Sequence, residues 1–314
     1  MKEWGIMVPL VTPCTPTGEL DREGLIQVSR EMVHAGCHSL FVAGSTGRGP
    51  WFSREERIIM CKTVVEEAGD RVPVVAGCIA IGLDEMVENA TMMADAGARA
   101  AVITAPGYFK YNQSELAKIF KEFADRCPLP VMLYDIPDFA GVKISKDVIY
   151  ELAEHKNVIG FKDSTNDYDR FQELIAHFQN RNDIYLLQGK ERWLFNSLKL
   201  GASGFVVSMI HIEPVLFAGL YNLTRSGNLE AAEKVQIAIN QVMDLVAVMF
   251  DKRPETSTLF HFLNQSLRLR NVCDNIVMEQ DGKCPGWLCD TASQAHDICK
   301  AASQELLLDK SAAR

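Results

Sequence analysis

No run in this chain of 314 residues approaches the length of a membrane-spanning helix. Positive charge is also in short supply. Thirty-two Lys and Arg face 41 Asp and Glu, a formal net charge of -9, which argues against nucleic acid or an anionic membrane as partner. The opening MKEWGIMVPLVTP has no basic region leading into a long apolar stretch and a small-residue cleavage site, so no signal peptide is expected. The seven histidines are scattered, and only His211 falls near the end of a strand-like run, which disfavours a metal-dependent enzyme. Cysteine is present nine times, an odd count without the tight paired spacing of a zinc site. Cys284 and Cys289 in KCPGWLC have no matching second pair. Reduced thiols in a cytoplasmic protein, and no metal, are the expectation. No Pro/Gly/Ser-rich linker divides the chain, and no glycine-rich phosphate loop follows the first strand-like run, PLVTPCTPTGEL.

What is present is a globular composition, 47% hydrophobic and 23% charged. Eight short apolar or β-branched runs cover residues 5–13, 39–44, 72–77, 100–106, 130–137, 158–164, 184–190 and 204–210. They are apolar almost throughout rather than alternating, as parallel strands covered on both faces require. Between them lie amphipathic segments at 21–35, 53–69, 84–96, 114–126, 146–154, 167–179, 192–200 and 213–226. Ser53 with Glu56 forms a capping-box signature, and Ser114 is an N-cap candidate. Eight strand–helix units in series predict an α/β fold, a (β/α)8 TIM barrel over residues 1–226. Residues 227–314 keep a helical pattern, read as an extension packed on the barrel or on a partner subunit, with the last KSAAR frayed.

Such barrels carry their chemistry at the C-terminal ends of the strands. Strand 2 ends in AGSTGRGP, strand 5 in YDIP, strand 6 in GFKDS and strand 7 in QGKE; strand 8 carries Ser208. Taken singly, these residues have plain structural roles. Ser45 and Thr46 suit a turn, Asp163 and Asp167 suit helix caps, Glu191 suits a first helical turn, and Lys162 suits a strand end reaching water. Together they pose a different question, because Tyr134 and Lys162 both close apolar strands that are neighbours in the barrel. A lysine held partly out of water has a lowered pKa and attacks carbonyls, forming a Schiff base that serves as an electron sink. Tyr134 is suited to shuttle protons, and the successive amides of Ser45–Gly47 form a seat for a carboxylate.

At these residues the chain resembles the dihydrodipicolinate synthase / N-acetylneuraminate lyase family, through GSTG (44–47), YDIP (134–137) and GFKDS (160–164) in the family's order and spacing. The resemblance implies a pyruvate-type 2-oxo acid held as an imine on Lys162, proton transfer by Tyr134, and carboxylate contacts from Ser45, Thr46 and Gly47. It implies no cofactor, a homodimer or homotetramer, and Tyr108 offered across a subunit interface. Two departures bear on substrate. Where dihydrodipicolinate synthases place an arginine for a second carboxylate stands Phe139, and where members usually have a glutamate after the turn stands Arg48. Arg48 either serves another acidic group or rearranges the turn; the sequence leaves both open. Ser164, Glu191 and Ser208, with Val206 beside them in strand 8, match positions with which the sialic-acid branch reads its substrate's hydroxyls. Lys190 and Arg192 depart from that branch. The expected activity is therefore an aldolase or dehydratase on a hydroxylated 2-oxo acid, such as a 2-keto-3-deoxy sugar acid or a sialic-acid-like substrate. The alternatives are condensation of pyruvate with aspartate semialdehyde and a non-catalytic keto-acid sensor. A phosphorylated sugar is disfavoured, since SMIHIEP after strand 8 lacks the glycine such sites use.

Overall fold

The computed structural model describes residues 4–312, with side chains as far as residue 306. Eight parallel strands follow one another around a single sheet in chain order. They are β1 (Met7–Pro9), β2 (Ser39–Val42), β3 (Val74–Gly77), β4 (Ala100–Thr104), β5 (Val131–Asp135), β6 (Val158–Asp163), β7 (Tyr185–Gln188) and β8 (Gly204–Phe205). A parallel bridge between Ile6 and Phe205 brings the last strand back to the first, giving a (β/α)8 barrel. The outer ring contains α1 (Arg22–His34), α2 (Arg54–Ala68), α3 (Leu83–Asp95), α4 (Gln113–Arg126), α6 (Lys146–Leu152), α7 (Tyr168–Phe178), α8 (Leu194–Leu200) and α9 (Pro214–Arg225), while the short α5 (Pro137–Ala140) directly follows β5. Three further helices make up the C-terminal region: α10 (Leu229–Lys252), α11 (Thr256–Leu269) and α12 (Gly286–Ala312). α10 packs against α9 and α12, and α12 also meets α11. The final KSAAR, expected to fray, lies wholly beyond the residues whose side chains are described.

The strands alternate inward and outward, which sorts the core into two clusters. Val102, Met132 and Tyr134 point into the barrel with Met7, Phe41, Val75 and Leu187. Their neighbours Ala101, Ile103, Val131 and Leu133 join the larger cluster under the helices. The paired strands are shorter than the apolar runs. The run at 204–210 pairs over two residues only, then coils into a 3-10 turn at Ser208–His211 whose Met209 and Ile210 are buried. That turn is apolar for the same reason a strand is, and hydropathy does not separate the two.

Helix caps follow the expected chemistry with one correction. Ser53 and Glu56 form the predicted capping box on α2. α4, however, is capped by Asn112, whose side chain accepts from the Glu115 amide at 3.0 Å while the Glu115 carboxylate accepts from the Asn112 amide at 2.8 Å. The reciprocal pair satisfies two amides that Ser114 would have left open. The nine cysteines are unbonded, with the Cys284 and Cys289 sulfurs 3.6 Å apart. Among the described residues no helix is long and apolar enough to cross a membrane.

Candidate active site

β5 and β6 set the centre of the site. Their register places Tyr134 opposite Lys162 and Asp135 opposite Asp163. Alternation then turns the first pair into the barrel and the second pair out of it. Lys162 is buried, its ammonium nitrogen 3.7 Å from the centroid of the Tyr134 ring and 5.7 Å from that of Phe41. Burial disfavours the cation and brings its pKa down to about 7; the nearby Glu191 carboxylate opposes the shift and Lys190 adds to it. A neutral amine is thus accessible near neutral pH, which is what attack on a carbonyl requires. Burial pushes the Tyr134 phenol well above its ordinary value, against hydrogen bonds to the Ser164 and Ser45 hydroxyls. The phenol therefore rests protonated and is linked to two hydroxyls along which a proton can pass.

The outward pair is held from behind. Arg170 on α7 reaches Asp135 at 2.8 Å, pairs with Asp163, and donates to the Ile144 carbonyl at 2.6 Å. All three charged side chains are nearly inaccessible. Burial raises the Asp135 pKa to about 6 in spite of the guanidinium. Asp163 is consequently not the helix cap that its position suggests. Its Oδ1 accepts from the Thr165 amide at 2.8 Å and from the Thr165 hydroxyl, while Asp167 caps α7 through the Arg170 amide. The expectation failed because a buried guanidinium is a stronger partner for a buried carboxylate than an exposed helix end.

A cavity of about 580 Å³ opens above this centre. Lys162, Tyr134, Ser45, Thr46, Ser164, Glu191, Val206, Ser208 and Phe139 all line it. Ser164 approaches from β6 because residue 189 is glycine: a Cβ there would lie 2.1 Å from the Ser164 hydroxyl. Glu191 is buried in a short turn after β7, accepting from the Met209 amide at 3.3 Å, and burial raises its pKa. Gly47, Arg48 and Tyr108 do not line this cavity. Arg48 pairs with Asp281 at 2.6 Å and lines an adjoining hollow that shares Ser45, Phe139 and Phe260 with this cavity. Tyr108 is 87% exposed with φ +79°, set on the outer surface against Phe109.

Several wall residues were not foreseen. Asn166 joins the polar side beside Lys190 and Arg192, which the sequence already placed after strand 7, and Met243, Val246, Phe250 and Phe260 form an apolar side contributed by α10 and α11. In QVMDLVAVMF the apolar residues recur at helical spacing, with Val242, Val246 and Met249 buried and Met243 and Phe250 half-buried beside them. That spacing does not say that the face looks onto a cavity. His211 is buried with Nε2 donating to the Pro9 carbonyl at 3.0 Å, and burial lowers its pKa to about 4. No cluster of three or more metal-ligating side chains occurs among the described residues.

Comparison with known proteins agrees with this geometry. The model of the dihydrodipicolinate synthetase family matches residues 2–263. The chain is 30% identical to 4-hydroxy-tetrahydrodipicolinate synthase of Mycolicibacterium gilvum over 74% of its own length and 76% of the relative's. Among solved structures, dihydrodipicolinate synthase of Bacteroides thetaiotaomicron is 31% identical, with a TM-score of 0.84 over 93% of this chain and 97% of that one. CdNal of Clostridium difficile, solved in complex with mannosamine, superposes with a TM-score of 0.84 at 20% identity, over 95% and 99% of the two chains; that likeness speaks for the fold. With the lysine, the tyrosine and the GSTG turn assembled on one barrel mouth, the chain belongs to the dihydrodipicolinate synthetase family of class I aldolase- and lyase-type enzymes.

Proposed function

We propose that the protein is a Schiff-base lyase, an aldolase or dehydratase, acting on a hydroxylated 2-oxo acid such as a 2-keto-3-deoxy sugar acid or a sialic-acid-like compound. The observation that carries the reading is the buried Lys162 amine, 3.7 Å over the Tyr134 ring at the floor of the cavity. In this reading the neutral amine adds to C2 of the oxo acid, and Tyr134 relays the proton that lets the carbinolamine lose water as the imine forms. The iminium accepts the electron pair of the C3–C4 bond as the C4 hydroxyl gives up its proton, releasing an aldehyde and leaving an enamine. Protonation at C3 and hydrolysis return pyruvate and the free lysine. In a dehydratase the enamine forms instead by loss of a C3 proton, and it expels the C4 hydroxyl as water. Ser45 and Thr46 seat the C1 carboxylate. Ser164, Asn166, Glu191 and Ser208 offer donors and acceptors to hydroxyls further along the substrate.

Borohydride reduction in the presence of pyruvate should add pyruvate's mass, as the reduced adduct, to Lys162. An unlabelled protein under conditions that label an authentic lysine aldolase would overturn the mechanism. A screen of 2-keto-3-deoxy sugar acids and sialic acid, read for pyruvate release and for dehydration products, then identifies the substrate.

A second reading, condensation of pyruvate with aspartate semialdehyde, draws support from the names of the curated relatives. Phe139 speaks against it, because no guanidinium stands there for the second carboxylate. Besides Lys162, the cations on the same cavity wall are Lys190, 3.9 Å from Asp138 and 26% exposed, and Arg192, which pairs with Asp244 at 2.8 Å. The same proposal includes a cytoplasmic location and a homodimer or homotetramer in which the exposed Tyr108 is covered by a neighbouring subunit. One solved structure of the same fold is described as a monomeric variant, so light scattering of the purified protein is the deciding measurement.

A further inference from the structure

We infer that the buried ion pair between Arg48 and Asp281 is the tie by which the C-terminal region holds the Ser45–Gly47 turn in its carboxylate-binding shape, making both of them positioning residues for imine formation. This rests on the imine reading above.

The turn is tightly built. Arg48 donates its amide to the Ser45 carbonyl at 3.1 Å, Gly49 donates to Gly44 at 3.0 Å, and a Cβ on Gly49 would lie 1.9 Å from the Ala43 carbonyl oxygen. From the barrel side the Thr12 hydroxyl donates to the Gly47 carbonyl at 2.6 Å. Ala43 and Arg48 both have positive φ, +53° and +51°. A side-chain-bearing residue keeps that conformation only where its surroundings enforce it.

The side chain of Arg48 supplies such enforcement. Its guanidinium lies 3.6 Å from the centroid of Phe260, a ring that also lines the substrate cavity, and it meets the Asp281 carboxylate at 2.6 Å. The two side chains are only 5% and 10% exposed, so the pair is shielded from solvent screening. Asp281 is itself fixed. The Met278 amide donates to its carboxylate at 2.9 Å, and its carbonyl accepts from His261 at 3.1 Å and Arg253 at 3.3 Å. The segment before it is stitched to the loop after β1, with Cys14 donating to Asn275 at 3.0 Å and Glu279 donating to Pro16 at 2.8 Å. The anchor is therefore a rigid platform rather than a loose tail.

Two facts separate this from an ordinary structural ion pair. Arg48 directly follows the turn and does not line the cavity that holds Lys162; it lines an adjoining hollow that shares Ser45, Phe139 and Phe260 with that cavity, which places its action on substrate in the turn. Asp281 lies past residues 2–263, the span matched by the family model, so the tie is supplied by the chain's own C-terminal region. The acidic group that Arg48 serves is internal.

The test measures pyruvate-dependent borohydride labelling of Lys162 in the full-length protein, with Arg48→Met, Asp281→Asn, the double variant and Arg48→Lys. Each single substitution should raise the pyruvate concentration for half-maximal labelling about tenfold while leaving the extent at saturation near that of wild type. The double variant should be no worse than either single one, as a pair acting as a unit requires, and Arg48→Lys should recover part of the loss. Half-saturation within twofold of wild type in folded Arg48→Met and Asp281→Asn overturns the inference, as do independent, multiplicative effects. If Arg48→Met fails to fold, Asp281→Asn and Arg48→Lys decide the matter alone. An unlabelled wild type overturns the imine reading and this inference with it, whereas a labelled wild type with unaltered variants overturns only the tie.

Discussion

Lys162 and Tyr134 are register partners on adjacent parallel strands, and the lysine nitrogen rests 3.7 Å above the centre of the phenol ring. The ring's negative face steadies a cation there, yet burial outweighs it and leaves the amine with a pKa near 7. The arrangement favours chemistry at the expense of stability. An unfolded lysine titrates near 10.4, so between about pH 7 and pH 10 the unfolded chain binds more protons than the folded one, and stability attributable to Lys162 rises with pH across that window. Below about pH 7 the penalty is complete, on the order of 4 kcal/mol. Lys162→Met should therefore unfold at higher denaturant than wild type at pH 7, with the gap closing toward pH 10, while losing all pyruvate labelling. Chemical denaturation at the two pH values reads the first effect and mass spectrometry the second. A variant no more stable than wild type at pH 7 would show that the lysine is not destabilised by its site.

Tyr134→Phe keeps the ring over the lysine and removes only the hydroxyl that joins Ser45 and Ser164. The expected outcome is imine formation slowed by roughly 10²–10⁴, the range for loss of a positioned proton shuttle, with little change in melting temperature. Stopped-flow trapping measures it. A rate within threefold of wild type would remove the phenol from the proton path.

Arg170 bridges two buried carboxylates that stand one residue beyond the Lys162–Tyr134 pair, joining the ends of β5 and β6. Arg170→Met would leave Asp135 and Asp163 buried and uncompensated, at a cost of about 3–5 kcal/mol. Asp135 already titrates near 6, and without the guanidinium its pKa should climb further. For a carboxylate raised in this way the folded state holds the proton more tightly, so the loss of stability should be largest above pH 6 and smaller toward pH 4. Urea midpoints across that range check the sign. A midpoint lowered equally at all pH values would mean that the damage is steric.

How much of this could be read from residues alone depends on what each pattern encodes. The apolar runs identify buried strands because parallel strands are covered on both faces, but they overshoot at residues 204–210, where a buried 3-10 turn has the same composition. Lys162 and Tyr134 were legible because a charged or phenolic group closing an apolar run is unusual in itself. The apolar cavity wall from Met243, Val246 and Phe250 was not, since a helical stripe reports burial and not the object it faces. Arg48 could be singled out but not explained. Its partner is 233 residues away, in a segment without a recognisable motif. Asp163 was misread as a cap because Arg170 lies on the following helix and only folding shows that it turns back beneath the sheet.

Phe139 separates the two substrate readings. It lines the cavity and is 57% exposed, so a longer side chain can be accommodated without disturbing the core. If the natural substrate is a hydroxylated sugar acid, wild-type protein should cleave or dehydrate at least one 2-keto-3-deoxy sugar acid far faster than it condenses pyruvate with aspartate semialdehyde. Phe139→Arg would place a guanidinium where a second carboxylate can pair with it, an interaction of about 1.5–3 kcal/mol when charge-assisted. Condensation with the semialdehyde should then rise about tenfold or more in kcat/KM, with pyruvate labelling of Lys162 unchanged. If wild type already condenses the semialdehyde efficiently, Lys190 becomes the residue to test. Lys190→Met should then depress kcat/KM for the semialdehyde about tenfold and leave the half-saturating pyruvate concentration where it was, whereas equal loss for both substrates would place Lys190 in the support of the lysine itself.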